Sequence, residues 1–183
     1  MVINMTNTST KKLTKAEFWK LADAADLTYE LIDGIAVEKM SPKYFHSRST
    51  GTIFTALTDW GNSRGRVGIE WAIDLSDDFT PVPDLLYISF DRLPVTWQEN
   101  AACPIAPELA VEIISPGQTF GQMAQKASSY LAGGVLRVWI VDPSAQSLTV
   151  FYPDAAPITH IGSQIVTDAI FTDLSIVTSQ LFG

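Results

Sequence analysis

Cysteine and histidine are scarce in this sequence. The 183 residues include one cysteine, Cys103, and two histidines. A single cysteine cannot form an intrachain disulfide, and the absence of a cysteine and histidine cluster argues against a zinc site. Because a thiol nucleophile needs a base partner and an exposed thiolate, we interpret Cys103 as a small buried or loop residue.

Charged residues and long apolar runs are also sparse. Charged residues make up 17% of the chain, against about 25% in an average soluble domain. No apolar run reaches the roughly 18 residues of a membrane-spanning helix, and the polar start MVINMTNTSTKKLTK lacks the apolar core of a secretory signal. We therefore expect a cytoplasmic protein. The low charge favours a well-covered sheet or an oligomer, with a homodimer as the expected form.

The net charge of −8 is unevenly distributed along the chain. Residues 1–66 carry nine basic and seven acidic side chains, whereas residues 67–183 carry three and thirteen. Proteins that bind duplex DNA through many phosphates normally have a basic face. The candidates for such a face are Lys11, Lys12, Lys15, Lys20, Lys43, Arg48, Arg64 and Arg66. This balance counts against strong general DNA binding, although a metal ion or a multimer would offset part of it.

The pattern of apolar residues predicts one α/β domain over residues 14–183, after a flexible segment at residues 1–13. Thr14 and Glu17 form a capping-box pattern that begins a helix at 15–25. Asp33-Gly34 indicates the turn of a hairpin over Thr28–Lys39. Further helices are predicted at 43–61 and 119–132. Strands are predicted at Val67–Leu75, Asp84–Phe90, Glu108–Ile114, Leu136–Val141 and, at the edge, Leu148–Tyr152.

Two carboxylates occur in segments whose apolar pattern predicts burial. Glu112 interrupts the strand PELAVEIISP, and Asp84 follows Pro83 at the start of DLLYISF. A buried ionised carboxylate is unfavourable by several kcal/mol unless it is paired or binds a metal. Together with Glu30 in TYELI, these residues suggest a site for Mg²⁺ or Mn²⁺, because all the side-chain ligands would be oxygen atoms. Two structural roles remain open: Glu112 could pair with an arginine or a backbone amide, and Asp84 could cap a strand or turn.

An ordered series of segments resembles a known family. The segments are YELIDG, SPKYFHS, PDLLYIS, VEIISPGQT, Lys126 with Tyr130, and GGVLRVWIVDP. The chain resembles the PD-(D/E)xK nuclease superfamily and, within it, the Uma-type family of restriction-endonuclease-like proteins. The resemblance implies a restriction endonuclease-like α/β fold, with a central mixed sheet flanked by helices. It also implies a metal-dependent endonuclease that hydrolyses DNA phosphodiester bonds.

The resemblance assigns roles to individual residues. Asp84 corresponds to the aspartate of the PD motif and Glu112 to the acid of the (D/E)xK motif. Both would bind the metal ion, with the backbone carbonyl of Ile113 as a third ligand. Glu30 and His46 would be further members of the site, although His46 could equally be a satisfied core or surface histidine.

One position departs from the motif. Lysine usually follows the acid by two residues, where this sequence has Ile114. Lys126 is the candidate replacement, since it is the only lysine after residue 43 and lies on the next predicted helix. Gln122 and Tyr130, one turn away on that helix, could supply supporting hydrogen bonds. Two alternatives stay open: Lys126 as an exposed helical lysine, and the whole chain as an inactive binding or structural protein on the same fold.

Overall fold

Three α-helices and ten short strands form the part of the chain that the computed structural model describes, residues 11–183. In chain order they are α1 Lys15–Ala24, β1 Tyr29–Ile32, β2 Ile35–Glu38, α2 Tyr44–Gly61, β3 Gly65–Ile69, β4 Leu85–Ser89, β5 Leu109–Ile113, α3 Phe120–Ala132, β6 Arg137–Asp142, β7 Ser147–Phe151, β8 Ile158–Ile161, β9 Ile165–Val166 and β10 Ile176–Val177. A 3₁₀ turn, Thr178–Leu181, follows. The predicted flexible segment falls largely on residues 1–10, which lie outside the described part.

A mixed six-stranded sheet lies at the centre of the fold. Its strand order is β3-β4-β5-β6-β7-β8. Strands β5 and β6 are parallel and are connected through α3, and every other neighbouring pair is antiparallel. The predicted α/β fold with a mixed sheet flanked by helices is therefore confirmed.

The apolar pattern of β5 reflects its central place in the sheet. All five of its residues are buried. On one face Ile53 and Leu57 of α2 pack against the odd-numbered residues of β4 and β5. On the other face Met123, Ala127 and Tyr130 of α3 pack against the even-numbered ones. Because successive side chains of a strand point to opposite faces, the even-numbered Asp84 and Glu112 share the side of the sheet that α3 covers.

The predicted hairpin forms a small separate sheet. Strands β1 and β2 are antiparallel, and Asp33 and Gly34 adopt φ angles of 51° and 78°, as the tight turn requires. One face of the hairpin packs Leu31 and Ala36 against Phe18 of α1. The helix α1 begins with the predicted capping box at Thr14. The opposite face of the hairpin carries Glu30 toward the central sheet.

Two strand predictions were wrong. Leu148–Tyr152 was expected at the edge, but β7 lies inside the sheet because β8 pairs with its outer side. The exposed, weakly patterned β8 gives little sequence signal. The strand expected at Val67–Leu75 ends at Ile69, because Glu70 adopts a left-handed φ of 47° that breaks the extended backbone.

The C-terminal segment completes the core on the α2 side of the sheet. Its short strands β9 and β10 pair with each other, and Phe171, Leu174 and Leu181 pack into the core there. On the α3 side, Cys103 is buried and its thiol donates to the carbonyl oxygen of Ile105 at 3.2 Å. Burial also raises the pKa of this thiol, which fits the structural interpretation of Cys103.

No helix within residues 11–183 combines the length and the apolar character that crossing a membrane requires.

Candidate metal centre

The five side chains predicted from the sequence line one cavity of about 610 Å³. They come from the hairpin, the start of α2, the residue just before β4, strand β5, and α3. The five residues are Glu30, His46, Asp84, Glu112 and Lys126.

The sheet register explains why the two motif carboxylates lie together. Strands β4 and β5 are antiparallel, with Leu85 paired to Val111. Continuing this register by one residue places Asp84 opposite Glu112 on the same face, where side chains of neighbouring strands are in contact range. Asp84 is 3% exposed and Glu112 is 4% exposed, so both carboxylates are buried as expected.

Three donors surround the Asp84 carboxylate. The Lys39 ammonium lies 2.8 Å from Oδ1. The His46 Nε2 atom donates to Oδ2 at 3.1 Å, and the backbone N–H of Ile113 donates to the same oxygen at 2.7 Å. Burial alone would raise the pKa of Asp84, but the hydrogen bond from His46 and the charge of Lys39 lower it to about 2. Asp84 is therefore ionised at neutral pH.

Pro83 affects the backbone beside this carboxylate. The β4–β5 register continued by two residues places Pro83 opposite Ile113, where an antiparallel pair normally exchanges two N–H···O bonds. Proline has no N–H to donate to the Ile113 carbonyl. The N–H and C=O of one strand residue point to the same edge, and the Ile113 N–H points toward Asp84. The Ile113 carbonyl thus faces the Asp84 side without a ladder donor from Pro83.

Glu112 has a different environment from Asp84. The Tyr130 hydroxyl donates to Oε1 at 2.6 Å, and the Lys126 ammonium lies 2.8 Å from the same oxygen. Burial raises the pKa of Glu112, and the charge of Lys126 opposes that shift. Both contacts made within residues 11–183 use Oε1, so Oε2 is the oxygen left to bind a cation.

Lys126 is held between two carboxylates. Its ammonium lies 2.8 Å and 2.9 Å from the two oxygens of Glu30, in addition to its contact with Glu112. Glu30 is itself fixed by the backbone N–H of Val82, which donates to Oε1 at 2.7 Å. The Lys126 side chain is 12% exposed, which rules out the exposed helical lysine. Burial lowers its pKa, but the charges of Glu112 and Glu30 outweigh that effect and raise it, so the ammonium stays protonated.

A known protein family matches the chain over most of its length. Residues 16–177 match the model of the Uma2 family, whose description is "Putative restriction endonuclease". The chain belongs to the Uma2 family. No curated protein matches the chain.

A solved structure has the same fold. It is the crystal structure of "a putative nuclease belonging to DUF820 from Anabaena variabilis ATCC 29413". The two chains are 24% identical, with a TM-score of 0.81 over 93% of this chain and 97% of the other. This similarity shows that the Uma2 chain has the fold of that protein.

The position of Ile114 shows how a lysine from α3 reaches the centre of this Uma2 protein. Ile114 lies two residues after Glu112 and packs among the apolar residues beneath α3. Because α3 covers this face of β5, Lys126 can extend from the helix to the Glu112 carboxylate. The chain thus brings an ammonium group to the acid from the helix above it and not from the strand itself.

The two supporting residues on α3 have different contacts. Tyr130 reaches the centre through its hydrogen bond to Glu112. Gln122 lines the cavity, but its Oε1 accepts from the backbone N–H of Thr119 at 2.8 Å. This contact belongs to the capping box that begins α3. The expected hydrogen bond from Gln122 to the centre is therefore replaced by a role at the helix terminus.

Lys39 is the member of the centre that sequence reasoning missed. A signal for it exists in the hairpin: Glu30 pairs with Val37, and alternation places residue 39 on the same face as residue 37. Lys39 therefore shares the face of Glu30. Burial lowers its pKa, but the charges of Asp84 and Glu112 more than compensate and raise it.

The donor set fits a hard divalent cation with water in its coordination shell. Within residues 11–183, no three side chains of histidine, cysteine, aspartate or glutamate cluster around one point. Asp84 and Glu112 would therefore be joined by the Ile113 carbonyl and water. Mg²⁺ is commonly held by one or two carboxylates while keeping several waters. The absence of a thiolate, and the use of His46 as a partner of Asp84, argue against a zinc-type site.

Proposed function

We propose that this Uma2 protein is a metal-dependent endonuclease that hydrolyses DNA phosphodiester bonds. The observation that carries the proposal is the pairing of two buried carboxylates, Asp84 and Glu112, across neighbouring strands with the Lys126 ammonium beside them. The family match adds support, since the description of the family is "Putative restriction endonuclease".

The cation would be Mg²⁺ or Mn²⁺, held by Asp84, Glu112 and the carbonyl of Ile113. When bound, such an ion supplies Lewis-acid polarisation of the phosphoryl group and lowers the pKa of water. Oxygen ligands of this kind suit both metals.

The surrounding residues would set the charge and orientation of the two carboxylate ligands and hold the attacking water. His46 and Lys39 keep Asp84 ionised, and Tyr130 fixes the orientation of Glu112. Lys126, held by Glu30, would orient the attacking water and place a positive charge where negative charge develops on the phosphate. His46 and Glu30 are therefore positioning residues in this proposal.

The direct test is cleavage of supercoiled plasmid DNA with Mg²⁺ or Mn²⁺ by the variants Asp84→Asn and Glu112→Gln. Each substitution removes a ligand charge and keeps the side-chain shape, so the cleavage rate should fall by about 100-fold or more, comparable to the loss of a major electrostatic group in other enzymes. Asp91→Asn is the matched control, because Asp91 is exposed beyond the far end of β4. Wild-type cleavage by Asp84→Asn would refute the proposal.

One observation favours a second candidate, an inactive binding or structural protein on the same fold. The buried carboxylates already have ammonium partners, Lys39 for Asp84 and Lys126 for Glu112, so each proposed ligand has a positive partner without a metal ion. Thermal unfolding with and without Mn²⁺ separates the two candidates. If the centre binds the cation, the Tm of the protein rises as the concentration of Mn²⁺ exceeds the Kd for Mn²⁺. If the centre is inactive, the Tm does not change.

A further inference from the structure

Lys39 contacts the carboxylate of Asp84 at an oxygen that the proposed cation would need. Its ammonium lies 2.8 Å from Asp84 Oδ1, and it also donates to the carbonyl oxygen of Val82 at 2.8 Å. The Lys39 side chain is 11% exposed. The other Asp84 oxygen is occupied by His46 and the Ile113 N–H. A cation that binds Asp84 at Oδ1 would therefore share this oxygen with the Lys39 ammonium, whose full positive charge repels it.

A second carboxylate lies close to the same ammonium. Glu70 Oε1 is 3.9 Å from Lys39 Nζ, and the Glu70 side chain is 45% exposed. The backbone of Glu70 has a left-handed φ of 47°, and its N–H donates to the Asp84 carbonyl oxygen at 3.2 Å. The Glu70 carboxylate is thus anchored beside Asp84 but faces the solvent side of the centre. It offers the ammonium another partner within reach of a small side-chain rotation.

We propose that Lys39 is a built-in counter-ion of Asp84, which occupies the ligand oxygen in the cation-free protein and shifts toward Glu70 when a divalent cation binds. This inference rests on the proposed metal centre. It adds that Lys39 lowers the affinity of this centre for the divalent cation. The cation and the ammonium compete for one oxygen, so the measured affinity includes the free energy of displacing Lys39.

Lys39 and Lys126 differ in which carboxylates hold them. Lys126 is held by both oxygens of Glu30, which is not a proposed ligand, so it can keep those bonds when the cation binds. Lys39 has its main carboxylate contact with a proposed ligand. Removal of the two lysines should therefore have different consequences: loss of Lys39 frees Asp84 Oδ1, whereas loss of Lys126 removes a positive group proposed to act on the phosphate.

The test is calorimetric titration of Mn²⁺ into the wild type and Lys39→Met, without DNA. Methionine is an unbranched apolar side chain that replaces most of the lysine stem but carries no charge. Because the like charge that contacts a proposed ligand oxygen is removed, Lys39→Met should bind Mn²⁺ about tenfold more tightly or better. Lys20→Met is the matched control, since Lys20 is exposed on α1, and it should bind as the wild type does. Equal or weaker binding by Lys39→Met overturns the inference.

A second variant, Glu70→Gln, tests the proposed displacement of Lys39 if Lys39→Met fails to fold. Glu70→Gln changes a half-exposed side chain and leaves Lys39 in place. The displaced ammonium then lacks its charged partner, so Mn²⁺ binding should weaken severalfold. Unchanged or tighter binding by Glu70→Gln overturns the proposed displacement.

Thermal unfolding in EDTA separates this inference from the proposed function. Lys39→Met should lower the Tm because it leaves a buried carboxylate without its cation, and the loss should be smaller in an Asp84→Asn background. If the losses of Tm in Lys39→Met and Asp84→Asn are additive in the double variant, Lys39 is not the counter-ion of Asp84. This conclusion does not depend on metal binding. If the coupling is present but neither the wild type nor Lys39→Met binds Mn²⁺, the metal centre fails and the displacement fails with it, while the ion pair remains.

Discussion

At the scale of single residues, Pro83 leaves the Ile113 carbonyl without a ladder donor beside the candidate centre. Replacing it in Pro83→Ala restores an N–H opposite the Ile113 carbonyl, where the sheet ladder can be extended. The carbonyl would then accept a hydrogen bond that competes with a cation. We expect Mn²⁺ affinity to fall about fivefold, the equivalent of about 1 kcal/mol for one hydrogen bond. Calorimetric titration measures this change.

The control for this substitution is Pro94→Ala. Pro94 is exposed in the loop that follows β4, at the opposite end of that strand from Asp84. It should leave the Mn²⁺ affinity unchanged. Equal affinities for Pro83→Ala and the wild type would mean that the Ile113 carbonyl takes no part in binding.

Individual site residues were predictable where a local pattern was broken. Glu112 interrupts an apolar strand and Asp84 directly precedes one, and both prove to be buried. Lys39 follows a strand among other polar residues and breaks no pattern. Its contact with Asp84 depends on how the hairpin lies against the central sheet, which is fixed by a long-range pairing of Leu31 with Thr80. Short-range periodicity carries no information about such a pairing.

At the scale of secondary-structure elements, the capping box of α1 supports the hairpin that carries Glu30. The Thr14 hydroxyl accepts from the Glu17 backbone N–H, and the Thr14 N–H donates to the Glu17 carboxylate. Phe18 of the same helix packs against the hairpin. Thr14→Ala should therefore lower the free energy of unfolding by about 1 kcal/mol, as measured by urea denaturation. Thr14→Ser retains the hydroxyl and should unfold like the wild type; an equal loss in both variants would argue against the cap.

Elements with a signal in their own sequence were predicted well, and those defined by a neighbour were not. The capping box at Thr14 and the turn at Asp33-Gly34 depend on residues within a few positions of one another. The position of β7 inside the sheet depends on β8, a strand with mostly exposed residues. An exposed strand lacks the alternation of buried and exposed side chains, so the sequence could not indicate that the sheet continues beyond β7.

At the scale of the whole molecule, surface charge and the outer strand bear on possible partners. The net charge is −8, and the excess of acidic residues lies after residue 66. The outer strand β8 exposes Ile158 and Ile161, which would suit the homodimer expected from the low charged fraction. The dimer stays a prediction that sedimentation at two protein concentrations can test. For DNA, the acidic balance means that a bound cation and a few basic side chains must offset the repulsion of the phosphates.

Lys43 is a basic side chain placed for such a contact, because it is exposed at the start of α2, one turn before His46. Lys43→Glu should weaken binding of a labelled DNA duplex in Ca²⁺ and reduce the slope of log affinity against log salt by about 1, the value for one phosphate contact. Arg92→Glu makes the same change in charge in the loop beyond the far end of β4 and should have a smaller effect. Fluorescence anisotropy at several salt concentrations measures both. If the two reversals weaken binding equally, only net charge matters, and the duplex does not approach the cavity over the start of α2.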